Sequence, residues 1–215
     1  MKKKFLSLMM AAAVVATTSV SAFAEDTKQN ITVAPTGDKE VAIPMKGDIT
    51  DNKGATVPSS ISVTVPTAAN FTVNQEGVLQ ASSITITSHG EKVEVVAGNF
   101  KDSTGNKEIQ VVAPSEFTGG VDRVARNKVS LKVQGTNGTV YLKTESDSSK
   151  SGIYDYEKDV ETEVTSSTNK VLGYAVNGTP LTLDITGEAG KDGEQKAISD
   201  KFTLMLKIRK ATQSE

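Results

Sequence analysis

The chain has 215 residues, no cysteine, no tryptophan and one histidine, with 24 basic against 26 acidic side chains. With no disulfide available, stability must come from a buried core, and a chain of this length can build one. The charge balance lacks the basic stripe that nucleic acid requires, and one histidine without thiols is a poor ligand set for zinc.

Lys2, Lys3 and Lys4 open the chain ahead of an apolar run from Phe5 to Val20, interrupted by Ser7, Thr17, Thr18 and Ser19. Ala22-Phe23-Ala24 then supplies the small-x-small pattern of a signal-peptidase site. Residues 1–24 are therefore read as a signal peptide, with Glu25 as the new N-terminus. The apolar run is short for a membrane span and no second one follows, so no transmembrane segment is expected after cleavage. Cleavage leaves 21 basic and 26 acidic residues, a net charge of −5, with four Phe and four Tyr. Carbohydrate-binding faces and binding hot spots lean on aromatic rings, and few are present.

Residues 25–45 form an N-terminal extension or a set of first strands. Two β-like pieces stand in it, carrying Ile31 and Val33, then Val41 and Ile43, parted by Pro35-Thr36-Gly37. From residue 46 to 215 the pattern is that of a β-sandwich domain. Ile61, Val63 and Val65 alternate with polar neighbours, as do Ile84 and Ile86, then Val129, Leu131 and Val133. Leu181, Leu183 and Ile185 repeat the pattern, and Phe202, Leu204, Leu206 and Ile208 give the longest strict alternation. Successive strand side chains point to opposite faces, so each run has one buried and one wet face. Their Val, Ile and Thr suit a pleated surface. The fold class is all-β, an antiparallel β-sandwich of many short strands.

Turn signals fall between the runs. Asn137-Gly138 and Asn177-Gly178 each read as hairpin turns, since Asn-Gly favours the positive φ that a tight hairpin needs. Asp51-Asn52-Lys53-Gly54, Asn74-Gln75-Glu76-Gly77 and the stretch 102–106 mark further turns. Val121, Val124 and Ala125 suit one short helical turn. Residues 143–170 are polar around Tyr154 and Tyr156 and read as a surface excursion with a short strand. One composite sandwich is favoured, with a boundary near residues 115–120 as the alternative.

The residues that carry chemistry are scarce. His89, in Ser88-His89-Gly90, is read as a turn residue and not as the relay of a Ser–His–Asp triad. Asp48, Asp51 and Asn52, then Asp102, Ser103 and Asn106, then Asp192 and Glu194, do not match the spaced acids of a calcium loop. A glycosidase needs two facing acids with one kept protonated in an apolar pocket, and these acids sit in hydrophilic stretches. Lys46-Gly47-Asp48 is read as a chance tripeptide. Neither a Leu-Pro-x-Thr-Gly sorting signal nor a Gly-rich phosphate loop occurs. No catalytic, cofactor-binding or metal-ligating residue is assigned.

Residues 58–73, Pro-Ser-Ser-Ile-Ser-Val-Thr-Val-Pro-Thr-Ala-Ala-Asn-Phe-Thr-Val, with Gly77 and the run 82–88, resemble the opening of secreted β-sandwich surface proteins of Gram-positive bacteria. That group includes relatives of the Trp-x-Leu wall-binding domains and small fibre-type subunits. The resemblance implies a surface or matrix role, without the tryptophan that names the wall-binding family. The expectation is an extracellular, non-enzymatic structural or interaction protein of the cell surface, with self-association into fibres and cell-wall or matrix contact as its partnerships. Strand addition would use Ile31 and Val33, or Val41 and Ile43, as anchors; these pieces also read as first strands of their own sandwich. Secreted carbohydrate- or wall-associated binding is the alternative, and a secreted hydrolase ranks behind it. N-terminal sequencing of secreted material should begin at Glu25; mature protein retaining Lys2, Lys3 and Lys4 would overturn the signal-peptide assignment.

Overall fold

A computed structural model describes residues 28–33, 38–44, 61–157, 160–194 and 196–211. The signal segment, the turn at 51–54 and the acids Asp48 and Asp51 lie outside the described residues. The N-terminal stretch contributes β1 (Lys28–Val33) and β2 (Asp38–Pro44). Next come β3 (Ile61–Pro66), β4 (Phe71–Val73), β5 (Leu79–Ala81), β6 (Ile84–Ser88) and β7 (Val93–Asp102). The middle of the chain supplies β8 (Gln110–Val111), β9 (Lys128–Gln134), β10 (Thr139–Leu142), β11 (Ile153–Glu157) and β12 (Val160–Glu163). The last strands are β13 (Val171–Ala175), β14 (Leu181–Ala189) and β15 (Phe202–Lys210).

Two main sheets result. The larger runs β1-β3-β6-β14-β9-β10-β11-β12, with β8 alongside β9, and the smaller runs β13-β7-β15-β2. A separate hairpin joins β4 to β5. Every ladder is antiparallel except the two-residue pairing of β8 with β9, which is parallel. The fold is thus an all-β antiparallel sandwich with one short parallel addition. One hydrophobic cluster takes side chains from both sheets, including Val63, Ile86 and Leu183 from the larger and Val95, Leu204 and Leu206 from the smaller. Phe202 stacks between Phe71 and Phe100, with centroid distances of 5.9 and 5.5 Å. Such offset aromatic pairs add to the burial they already provide.

The alternating runs behave as their period demands. β15 buries Phe202, Leu204, Leu206 and Ile208 to 1 % exposure or less. It is hydrogen-bonded to β7 on one side and β2 on the other. β14 shows the same period in Leu181, Leu183 and Ile185. At Asn74-Gln75-Glu76-Gly77 the Asn74 carboxamide oxygen accepts from the amides of Glu76 and Val78, at 3.0 and 2.8 Å, and Gly77 takes φ +74°. That is the Asx geometry for which Asn is suited.

The two Asn-Gly turns part company. Asn137-Gly138 does connect a hairpin, β9 to β10, with Val140 opposite Val133. Asn177-Gly178 makes a tight turn bridged between Val176 and Thr179, with Gly178 at φ +80°. The strands it joins lie in different sheets: β13 pairs with β7, and β14 with β6 and β9. The hairpin expected there is instead a crossing between layers, because both strands find longer partners elsewhere. Two short 3-10 turns, Pro114–Phe117 and Val121–Arg123, cover a small satellite core of Val112, Phe117 and Val124; the first was not anticipated.

The polar stretch 143–170 holds β11 and β12, which extend the large sheet beyond β10. Ile153 and Val164 are buried and Tyr154 is only 6 % exposed. Gly152 (φ +68°) ties this hairpin to the small sheet: a Cβ there would meet the Phe100 carbonyl oxygen at 2.2 Å. The close approach lets the Phe100 amide donate to Ser151 O at 2.7 Å.

Truncating Leu204 or Leu206 to Ala should cost about 2–5 kcal/mol, since each is fully buried in a two-sided strand. Denaturant unfolding of the mature protein measures this; unchanged midpoints in both variants would place β15 outside the core.

Candidate functional site

The four anchors named from sequence fall at the rims of the two sheets. In β1, Ile31 stands opposite Val63 and Val33 opposite Ile61 on β3. In β2, Val41 stands opposite Leu206 and Ile43 opposite Leu204 on β15. β1 ends the order of the large sheet and β2 ends that of the small one. The two pairs of anchors are therefore not gathered into one strand. They belong to a segment that closes one side of both layers, using main-chain hydrogen bonds to strands whose inner faces are apolar. The outer edges of β1 and β2 have no partner strand among the described residues.

A second concentration of chemistry lies on the outer part of the large sheet. Lys143 Nζ contacts Glu161 Oε1 at 3.0 Å and Glu145 Oε1 at 3.3 Å. Tyr154 Oη donates to Glu145 Oε1 and Tyr156 Oη to Glu161 Oε2, both at 2.6 Å. The Lys143 ammonium sits 5.0 Å from the Tyr154 ring centre, and Tyr141 meets Tyr156 edge-on at 5.2 Å. Burial, then the bond to the Glu145 carboxylate, pushes the Tyr154 phenol well above its ordinary value. Burial works to raise Glu161, but the Tyr156 hydroxyl and the Lys143 ammonium outweigh it and hold the carboxyl below its ordinary 4.5. The result is a pair of protonated phenols hydrogen-bonded to carboxylates, contacts that hold the β11–β12 hairpin in place. Sequence reasoning passed over this cluster. Its signal was the period-two run Tyr154-Asp155-Tyr156 facing Glu161-Thr162-Glu163, whose register pairs Tyr154 with Glu163 and Tyr156 with Glu161.

His89 follows the last residue of β6, and Asp102 ends β7. His89 is exposed, and its Nε2 lies 2.6 Å from Thr64 Oγ1. Asp102 Oδ1 accepts from the amides of Thr104 and Gly105, and Oδ2 from that of Lys107. Burial would raise this carboxyl, yet these donors bring it below its ordinary value. Thr104 Oγ1 also donates to the buried Asp200 carboxylate, which accepts from the Ile109 amide as well. Asp102 is thus held by donors of its own turn, while Asp200 takes its donors from the stretch 104–109 and from the Lys201 amide. Among the described residues no group of three or more His, Asp or Glu side chains is placed to hold a metal ion.

A cleft of about 830 Å³ opens beside the β4–β5 hairpin. Phe71 and Phe202 line it together with Lys107, Arg126, Lys196 and Asp200. Arg126 is already engaged there, donating from Nε to Gly193 O at 2.9 Å and from Nη1 to Gln75 O at 3.3 Å.

The Glu161 carboxylate gives a pH test. Its folded pKa lies below 4.5, so its contribution to stability is complete above pH 4.5 and fades as pH falls through the lower folded value. Glu161→Gln should flatten the fall of melting temperature below pH 4.5 and lower the melting temperature at pH 7. Parallel pH profiles for the two proteins would show that titration of Glu161 adds nothing to stability.

Compared with protein-family models, with curated proteins and with solved structures, the chain matches none.

Proposed function

We propose that this chain is an extracellular, non-enzymatic structural protein of the bacterial surface whose copies assemble into fibres by strand addition. The observation that supports this most is the seat of the N-terminal segment. Both of its strands lie at sheet rims, held by backbone ladders to β3 and β15. An edge ladder with alternating side chains is how extended segments are recognised, and the same edge accepts a segment of its own chain or of another copy. Among the described residues the outer edges of β1 and β2 are themselves left open to a further strand.

Four of the acids do not suit the proton-donor role of glycoside cleavage. Asp102, Asp147, Glu161 and Glu163 are all held below their ordinary values, the last mainly by the Ser151 amide and Asp147 by that of Ser149. A glycoside-cleaving acid needs the opposite shift. The second reading, a wall-associated binding module, draws on the cleft lined by Phe71 and Arg126. Its test is retention of the mature protein on purified cell-wall material, lost on Phe71→Ala.

Electron microscopy of the purified mature protein should show fibres. Deleting residues 25–35 should abolish them while leaving a folded monomer by circular dichroism, and the free peptide should block growth of the full-length protein. Fibres that persist after deletion, or a deleted chain that is unfolded, would count against assembly through this segment.

A further inference from the structure

The two N-terminal strands are consecutive, with only residues 34–37 between them, yet they do not pair with each other. β1 lies on β3 from Lys28↔Pro66 to Val33↔Ile61, and β2 lies on β15 from Asp38↔Arg209 to Pro44↔Thr203. The segment is therefore a clip that grips both layers along one side. Building on the strand-addition reading, we propose that the whole clip, residues 28–44, is the exchanged unit. Its acceptor is a second copy of this chain, which receives β1 on β3 and β2 on β15 in these same registers.

Three features of the chain lead there. The step from Val33 to Asp38 spans at most roughly 18 Å at full extension. If β1 crosses to a neighbour, β2 must follow unless the two rims happen to lie that close, so the strands move as a pair. Both strands are terminal in their sheets, so lifting the clip breaks only the β1–β3 and β2–β15 ladders. What remains is β3-β6-β14-β9-β10-β11-β12 facing β13-β7-β15, two sheets that still enclose the cluster of Ile86, Leu183, Val95 and Phe100.

The third feature is reach. Residues 45–60 connect the clip to β3, sixteen residues that span roughly 55 Å when extended. A domain of this size has a radius of gyration of about 16 Å, so a clip can seat on an adjoining body while its own body stays in place. Exchange makes the same contacts in both states, and the balance is set by concentration and connection length. Each copy offers one clip and one pair of rims. Passing the clip onward in one direction gives a heterologous contact, which grows into a filament when its rotation does not close into a ring.

The absence of native cysteine makes disulfide mapping clean. Thr32 stands opposite Ser62, and Ala42 opposite Met205. Full-length chains carrying Thr32→Cys are assembled with chains carrying Ser62→Cys, and likewise Ala42→Cys with Met205→Cys, then oxidised and run on non-reducing gels. Both mixtures should give covalent heterodimers. Heterodimers from the β1 pair alone, with the β2 pair linking only inside a doubly substituted chain, would overturn the clip and leave single-strand addition standing. Fibres that yield neither heterodimer would overturn both readings. Should either variant misfold, Asn30→Cys with Thr64→Cys and Glu40→Cys with Lys207→Cys report the same two ladders two positions away.

Discussion

β15 is hydrogen-bonded along both of its edges while Phe202, Leu204, Leu206 and Ile208 fill the space between the sheets. The rest of the fold depends on that doubly paired, one-sidedly apolar strand. It aligns β7, whose Val93, Val95 and Phe100 share the same core, and it provides the ladder on which β2 rests. Without disulfides, the connection between layers comes from apolar contact, from the close approach at Gly152 and from the short crossing at Val176–Thr179. Burial of this kind is non-directional, so the register must be set by the ladders and by which face of each strand is apolar.

Much of the architecture was legible because period two is a local property. The β9, β14 and β15 runs could be read from their Val, Leu and Ile spacing, and each has its apolar face inward. Which strands pair is not local. Asn177-Gly178 makes the turn its chemistry favours, yet nothing in those residues tells that β13 leaves for β7 while β14 stays with β9. The stretch 143–170 hid two strands for a related reason. Besides its few buried apolar side chains, Tyr–Glu and Lys–Glu contacts link β11, β12 and residues 143–145, and polar residues that satisfy one another look in sequence like residues that satisfy water. The anchors Ile31, Val33, Val41 and Ile43 were visible as two alternating pairs, but their division between two sheets was not.

The two ends of the large sheet are unlike. One end is β1, six residues long; the other is β12, four residues with Glu161 and Glu163 and an exposed Val160. Glu161 and Glu163 both take part in ion pairs, with Lys143 and Lys150. A short edge bearing charged side chains is a poor template for another strand. The two rims of the sheet thus differ: charged side chains line β12, while β1 has no partner strand on its outer side among the described residues.

The pairing of β2 with β15 joins the first and last parts of the described chain. Between them lie all the strands of the large sheet apart from β1, so the small sheet cannot be completed while the C-terminus is missing. β7 must likewise wait for β13 and β15, both more than sixty residues further along. A chain made from its N-terminus therefore spends its synthesis with these edges unsatisfied, and contacts of such long sequence separation form slowly. The small sheet is therefore the layer that takes its final form last, once residues 202–210 have been made.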